Sequence, residues 1–251
     1  MNNQFEEFLQ HGYILNNFYH FSNKIKAWQY YLPFTKAANY IDPNTRALDW
    51  GCGNGHFSSF LLHNKQMTTA FGFGETSAIP LLTDNKLFNF VAANTHEPTK
   101  LPFADQTFDI VFSMGVLEHV HESGGDQLSS LKEIHRILKP HGYFLCFHFP
   151  YSGSLVEIIH NAIMPFKRKA YVHTRRFSQE DVLRLASNSC LEVKEWGTYN
   201  ILPRNFTEIL PVSVTNNHFF VSVFNAVDTL ISQLFPFWCT QSYFIAQKIS
   251  S

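Results

Sequence analysis

Three glycines at alternate positions, Gly51, Gly53 and Gly55, follow directly on the apolar run Ala47-Leu48-Asp49-Trp50. A glycine-rich turn at the end of a buried strand lets the backbone approach a ligand closely, and a carboxylate about 20 residues further on can grip a ribose through its hydroxyls. Glu75 stands near that place. A dinucleotide fingerprint would set its third glycine at position 56, where this chain has His56. Asp49, beside the loop, would repel a pyrophosphate but stabilises a ligand that carries a positive amino group and a sulfonium. The loop therefore reads as a site for S-adenosylmethionine.

The second place that can do chemistry is Val116-Leu117-Glu118-His119-Val120. An imidazole has an ordinary pKa of about 6.5, suited to removing a proton from a hydroxyl acceptor. His119 is the candidate base; the alternative is that it packs and orients its loop. Methyl transfer by in-line displacement can also proceed by positioning alone, so the reaction does not require a base. Ser113 and Met114, just upstream, are expected to wall the cofactor. Five basic residues, Lys167, Arg168, Lys169, Arg175 and Arg176, concentrate in one stretch and could receive a phosphate or carboxylate on the acceptor, unless they form a solvated turn. Tyr19 and Tyr31 are candidates to line the acceptor from the amino-terminal side. No metal is expected: His119-x-His121 has no third ligand at a recognised spacing, and Cys52, Cys146, Cys190 and Cys239 form no CxxC.

The elements that must hold these residues follow from hydrophobic periodicity. Short apolar runs alternate with helical patterns from residue 45 to 150, as in βαβ units laid into a mainly parallel sheet. Strands are expected at 47–50, near 71–73, at 88–92, at 108–112 and at 143–149. Leu128, Leu131, Ile134 and Leu138 mark one helix face, with Asp126 as its cap and Pro140-His141-Gly142 as its stop. Ser178 begins a further helix, and the last two strands lie at 191–196 and 243–249. Residues 1–44 read as an amphipathic helical lid, 45–150 as the cofactor-binding core, and 151–177 and 197–241 as insertions on the substrate side, all in one domain.

Leu48-Asp49-Trp50-Gly51-Cys52-Gly53-Asn54-Gly55 resembles motif I of the class I S-adenosylmethionine-dependent methyltransferases. Leu101 to Asp109, Val116 to Val120, and Glu133 to Pro140 resemble the later motifs of the small-molecule subgroup that includes quinone-biosynthesis methyltransferases. The resemblance covers about residues 45–150 and implies a Rossmann-like, seven-stranded, mostly parallel sheet of order 3-2-1-4-5-7-6, its last strand antiparallel, with helices on both faces. It implies Asp49, Gly51, Cys52 and Gly53 at the methionine end of the cofactor, Glu75 at the ribose, and Asn94 and Thr95 toward the adenine. The chain departs from the pattern at Gly72-Phe73-Gly74, where the family has its acid and this sequence places glutamate one residue later.

Composition bounds the partners. Nineteen Lys and Arg against 20 Asp and Glu give a net charge of -1, which removes the basic field that holds a nucleic-acid backbone. Phenylalanine, 26 of 251 residues, points to a large aromatic core or an apolar site. The aromatic-rich run 218–238 is apolar on more than one helix face and must bury itself somewhere. A basic cluster together with such a helix suits a small or lipid-linked amphipathic acceptor, methylated at oxygen. Nitrogen, carbon and protein acceptors stay open, as do peripheral membrane contact, a homodimer, and a catalytically silent binding protein on the same fold. With no signal-peptide pattern at the start, the cytoplasm is the expected compartment.

Overall fold

The computed structural model describes residues 4–10, 18, 21–73, 79–94, 96–163, 173, 175–204, 207 and 209–249. Seven strands, β1 (Ala47–Trp50), β2 (Thr68–Gly72), β3 (Phe88–Ala92), β4 (Phe108–Met114), β5 (Leu138–Pro150), β6 (Leu191–Tyr199) and β7 (Gln241–Lys248), form one sheet in the order 3-2-1-4-5-7-6. The pairs β1–β2, β1–β4, β2–β3 and β4–β5 are parallel, and β7 runs antiparallel to both β5 and β6. This is the expected architecture. Parallel neighbours put the carboxyl ends of β1 and β4 side by side, with Trp50 level with Ser113. The two loops that carry the chemistry leave from this edge.

The described helices are α1 (Gln4–Gln10), α2 (Lys24–Ala27), α3 (Tyr31–Ala38), α4 (His56–His63), α5 (Gln127–Ile137), α6 (Leu155–Ile163), α7 (Gln179–Ser187), α8 (Val212–Thr215) and α9 (His218–Leu234). Asp126 caps α5 by accepting from the Ser129 N–H at 2.8 Å. Ser178 and Asp181 form a reciprocal capping box on α7. Side chains alternate across the sheet as strand geometry requires. Phe112, Leu145 and Phe147 enter one aromatic core with Phe57 and Phe60, while Val111, Phe144 and Cys146 enter the other with Leu131 and Ile134.

Three expectations change. Leu138, assigned to the α5 face, is extended (φ -71°, ψ 138°) and opens β5; Ile137 takes the buried place instead. Pro140 disfavours helical geometry at the residue before it, so the helix ends early. The β4–β5 register jumps from Phe108↔Leu138 to Ile110↔Tyr143, so Pro140-His141-Gly142 is an irregularity inside the strand. The amino-terminal segment, expected as a lid, is largely core: Phe5, Phe8, Phe21 and Phe34 are 0% exposed, and swinging it away would bare all four rings.

The third change concerns α9. It buries Val221, Asp228 and Ser232, and leaves Phe219, Val223, Val227, Leu230 and Leu234 exposed as one stripe. The helix is anchored by polar groups rather than by its apolar face. Asp228 Oδ2 accepts from Arg204 Nη2 at 2.6 Å, and Asp228 Oδ1 accepts from the backbone N–H groups of Ile201 and Leu202. Among the described residues no helix is long and apolar enough to cross a membrane.

Candidate active site

The glycine turn is pinned to the sheet before it meets any ligand. The N–H groups of Gly51 and Cys52 both donate to the Phe71 carbonyl at the end of β2, at 2.8 and 3.0 Å. Gly51 has φ +74°, and a Cβ there would lie 2.4 Å from a Val116 methyl carbon. Only glycine lets the turn after β4 rest directly on this loop. Gly53 differs: at φ +51° its missing side chain faces open space, with nothing within 4 Å, and that is the approach a ligand needs.

Asp49 lies beneath the loop at 1% exposure. Its Oδ2 accepts from Ser58 Oγ on α4 at 2.6 Å, while Oδ1 has no partner among the described residues. Burial pushes its carboxyl up to about 7, and the Ser58 bond offsets only part of that. A buried carboxylate oxygen without a donor fits a ligand that brings a positive amino group. The S-adenosylmethionine expected here meets an open glycine backbone and an orphaned acceptor. Ser58 was not identified from sequence, although a hydroxyl one turn into the helix after a glycine loop is a signal that could have found it.

The second loop carries Glu118, 3% exposed, whose Oε2 has no hydrogen-bond partner among the described residues. Burial raises its carboxyl to about 8. Next to it, His119 Nδ1 lies 2.7 Å from Glu122 Oε1, and that hydrogen bond holds the Glu122 carboxyl below its usual range. The insertion after β5 docks here through two links and is tied internally by a third contact. The rings of His119 and His173 are 6.0 Å apart. Arg175 Nη1 donates to Gln127 Oε1, and Gln127 Nε2 in turn donates to the Leu117 carbonyl, both at 3.2 Å. Arg176 Nε stands 3.6 Å from Glu157 Oε2. Both arginines thus reach the site's edge already engaged by protein groups.

A third contributor is the bulged end of β5. His148 has φ +58°, and its N–H donates to Tyr199 Oη at 2.8 Å; its Cβ is 3.7 Å from where a Cβ on Gly115 would be. Such a bulge re-aims a side chain. The Tyr30 ring lies 4.4 Å from the His148 ring and 4.9 Å from His56, and desolvation raises the phenol above its ordinary range. His148 and Tyr199 were not anticipated as site residues, because register shifts leave no periodic trace.

The remaining expected residues are placed as follows. Ser113 is fully buried and Met114 nearly so, within the wall between the two cores. Cys52 packs under the loop, its Sγ 3.2 Å from where a Cβ on Gly72 would be, and burial raises its thiol. Asn94 is exposed, and its Oδ1 accepts from the His96 N–H at 3.0 Å. Tyr31 stacks on Trp28 at 4.6 Å and meets Phe5 edge-on. Glu75, Thr95, Tyr19, Lys167, Arg168 and Lys169 lie outside the described residues. The ground for expecting no metal is removed: His119 finds its further donors through space, in Glu118 and His173, each offering one ligand atom within 4.8 Å of the others.

An open glycine turn over a buried carboxylate with one oxygen unpartnered among the described residues, at the carboxyl edge of a 3-2-1-4-5-7-6 sheet, defines a Rossmann-like methyltransferase architecture. Residues 48–146 match the family described as a methyltransferase domain. The chain is a class I S-adenosylmethionine-dependent methyltransferase that resembles quinone-biosynthesis enzymes, and S-adenosylmethionine is its cofactor. It is 25% identical over 206 residues to a demethylmenaquinone methyltransferase of Staphylococcus epidermidis, covering 77% of this chain and 82% of that protein. It is 35% identical over 107 residues to a mitochondrial arginine-hydroxylase of Homo sapiens, covering 39% of this chain and 27% of the other. In fold it is similar to the 1,6-didemethyltoxoflavin-N1-methyltransferase of Burkholderia thailandensis, solved with S-adenosylhomocysteine. That match has a TM-score of 0.55 at 18% identity and covers 87% of this chain and 77% of that one.

Proposed function

We propose that the protein transfers the methyl group of S-adenosylmethionine to an oxygen of a small or amphipathic acceptor. The observation that carries the reading is the contact between Gly51 and Val116, which joins the cofactor loop to the Glu118–His119 turn. In this reading Asp49 Oδ1 takes the positive amino group, Gly53 admits the methionine end with Gly51 shaping the turn, and Glu75 is the residue assigned to the ribose. A neutral imidazole that donates Nδ1–H to Glu122 keeps its lone pair on Nε2, where it can take the acceptor's hydroxyl proton. The acceptor oxygen then bonds to the methyl carbon, the carbon–sulfur bond breaks with its electron pair on sulfur, and S-adenosylhomocysteine leaves. The exposed apolar stripe of α9 supports an amphipathic acceptor.

The test is transfer of labelled methyl into fractions of a metabolite extract. Incorporation by wild type, lost in His119→Ala while S-adenosylhomocysteine still raises the melting temperature, supports the reading. Thermal stabilisation by that product with no fraction labelled would place the chain with catalytically silent binding proteins of this fold. Full activity of His119→Ala would remove the proton-acceptor role.

A further inference from the structure

His119 and His173 share an arrangement that proton transfer alone does not need. Each imidazole is braced from behind by a carboxylate: His119 Nδ1 lies 2.7 Å from Glu122 Oε1, and His173 Nδ1 lies 2.8 Å from Glu157 Oε1. The Glu157 side chain is itself buried, at 5% exposure. Carboxylate bracing of Nδ1 fixes the tautomer and the ring orientation and leaves Nε2 as the free donor, which is the second-shell arrangement of metal-binding histidines. Beside the two rings is Glu118, buried, with one oxygen unpartnered among the described residues and the other 3.8 Å from His119 Nε2; one ligand atom of each of the three residues lies within 4.8 Å of the others. Glu118 lies beside the rings while Glu122 and Glu157 stand behind them, and Arg176 Nε lies 3.6 Å from Glu157 Oε2. Arg175 is turned toward Gln127.

We propose that Glu118, His119 and His173 hold a divalent transition-metal ion of the zinc or manganese kind, with coordination positions left open toward the acceptor. Two imidazoles and one carboxylate are a donor set found in catalytic sites with three protein ligands. Metal–ligand bonds of about 2.0–2.2 Å set donors roughly 3.3–3.6 Å apart around a tetrahedral ion. The His119–Glu118 separation of 3.8 Å is close to that. The three ligand atoms lie within 4.8 Å of one another, so binding an ion requires them to draw together. Magnesium, which prefers oxygen donors, suits the site poorly.

The chemical role rests on the proposed methyl transfer, whereas binding of the ion does not. When bound, the ion supplies Lewis acidity to the acceptor oxygen, so that its proton can pass to solvent water. His119 Nε2 then acts as a ligand rather than as the base. His173 gains a function that the base reading does not give it.

The test begins with protein stripped by chelator, then titrated calorimetrically with ZnCl2, MnCl2 and MgCl2, and separately with S-adenosylhomocysteine. Wild type is expected to bind one zinc or manganese ion per chain. Glu118→Gln and His173→Ala should weaken that at least ~100-fold, and Glu157→Gln, which touches only the brace, by roughly 10–100-fold. The product's affinity should stay within about threefold in His173→Ala, which shows that the variant is folded. Should His173→Ala not fold, Glu157→Gln carries the comparison. No saturable zinc or manganese binding by wild type, equal binding by the variants, or binding of magnesium alone would each overturn the proposal. Product binding and methyl transfer without metal would leave the methyltransferase reading standing and remove this one; metal binding without any transfer would do the reverse.

Discussion

With Asp49 as the proposed partner of the cofactor's amino group, cofactor binding becomes a function of pH, with a sign and size that follow from the burial of the carboxyl. The carboxyl moves from its ordinary 3.8 to about 7 because it is desolvated with one oxygen unpaired. A raised folded-state value means that the free protein holds the proton longer than the unfolded chain does. Its contribution to stability is therefore full below pH 3.8 and lost as pH rises through about 7. Across that window the loss is about 4 kcal/mol at about 1.36 kcal/mol per pH unit, as an upper bound for one buried group. In the proposed complex the cationic amino group of the cofactor meets the ionised form, so the affinity follows the ionised fraction. That fraction is about 1% at pH 5 and about 90% at pH 8. S-adenosylhomocysteine should thus bind roughly 90-fold more weakly at pH 5 than at pH 8, about 2.7 kcal/mol.

Calorimetry in buffers of different ionisation enthalpy measures the same linkage directly. Binding should release about 0.9 proton at pH 6 and about 0.1 at pH 8. Asp49→Asn keeps the shape and removes the charge. It should weaken binding at pH 8 by roughly 10–150-fold, the loss of one charge-assisted hydrogen bond, and abolish the proton release. The same variant should raise the melting temperature of the free protein at pH 8, because no anion is then buried. An affinity that is flat between pH 5 and pH 8 in wild type, or an unchanged slope in Asp49→Asn, would refute the assignment of this carboxylate to the cofactor's amino group.

Gly51→Ala should abolish product-induced stabilisation in a thermal-shift assay and cost about 1–3 kcal/mol of folding stability, through both backbone strain and the Val116 clash. Adding Val116→Ala should recover the steric part only. Asp228→Asn leaves Arg204, whose side chain is 7% exposed, without its ionic partner; a urea titration should show a loss of about 3–5 kcal/mol. Phe219→Ser with Leu230→Ser, at positions 78% and 56% exposed, should change monomer stability by no more than about 0.5 kcal/mol. A larger loss would mean that the α9 stripe is covered in solution.

Local physics made the glycine turn and the Asp126 and Ser178 caps legible in the sequence, each written in a few adjacent residues or in a period that a strand or helix must obey. The strand order came from the family resemblance and not from any local pattern. The motif after β4 was legible too, down to the Glu118–His119 pair. Two things were not. The orientation of α9 could not be read from its apolarity, because Asp228 is drawn inward by Arg204 and by two backbone N–H groups far away in the chain. The approach of His173 to His119 depends on how the insertion after β5 folds back, and no spacing records that. The amino-terminal aromatics were legible as an amphipathic segment, but their burial against Phe57 and Phe60 required the sheet to be in place.

Glycine loop and cofactor alone do not decide the reaction. A relative 35% identical over 107 residues is named as a hydroxylase, so the acceptor chemistry must be argued from the residues of this site. Two buried carboxyls stand out there. Asp49 and Glu118 sit on the loops of neighbouring strands, each buried, each with an oxygen lacking a donor among the described residues, each raised above its ordinary range. In the empty site such groups hold their protons, and as anions they need something positive to offset them when the site is filled. The cofactor's amino group and sulfonium are matched to the first. The second lies on the turn joined to the cofactor loop through Val116, beside two carboxylate–imidazole pairs, and under the proposed transfer to oxygen the identity of the compensating cation decides how the acceptor loses its proton.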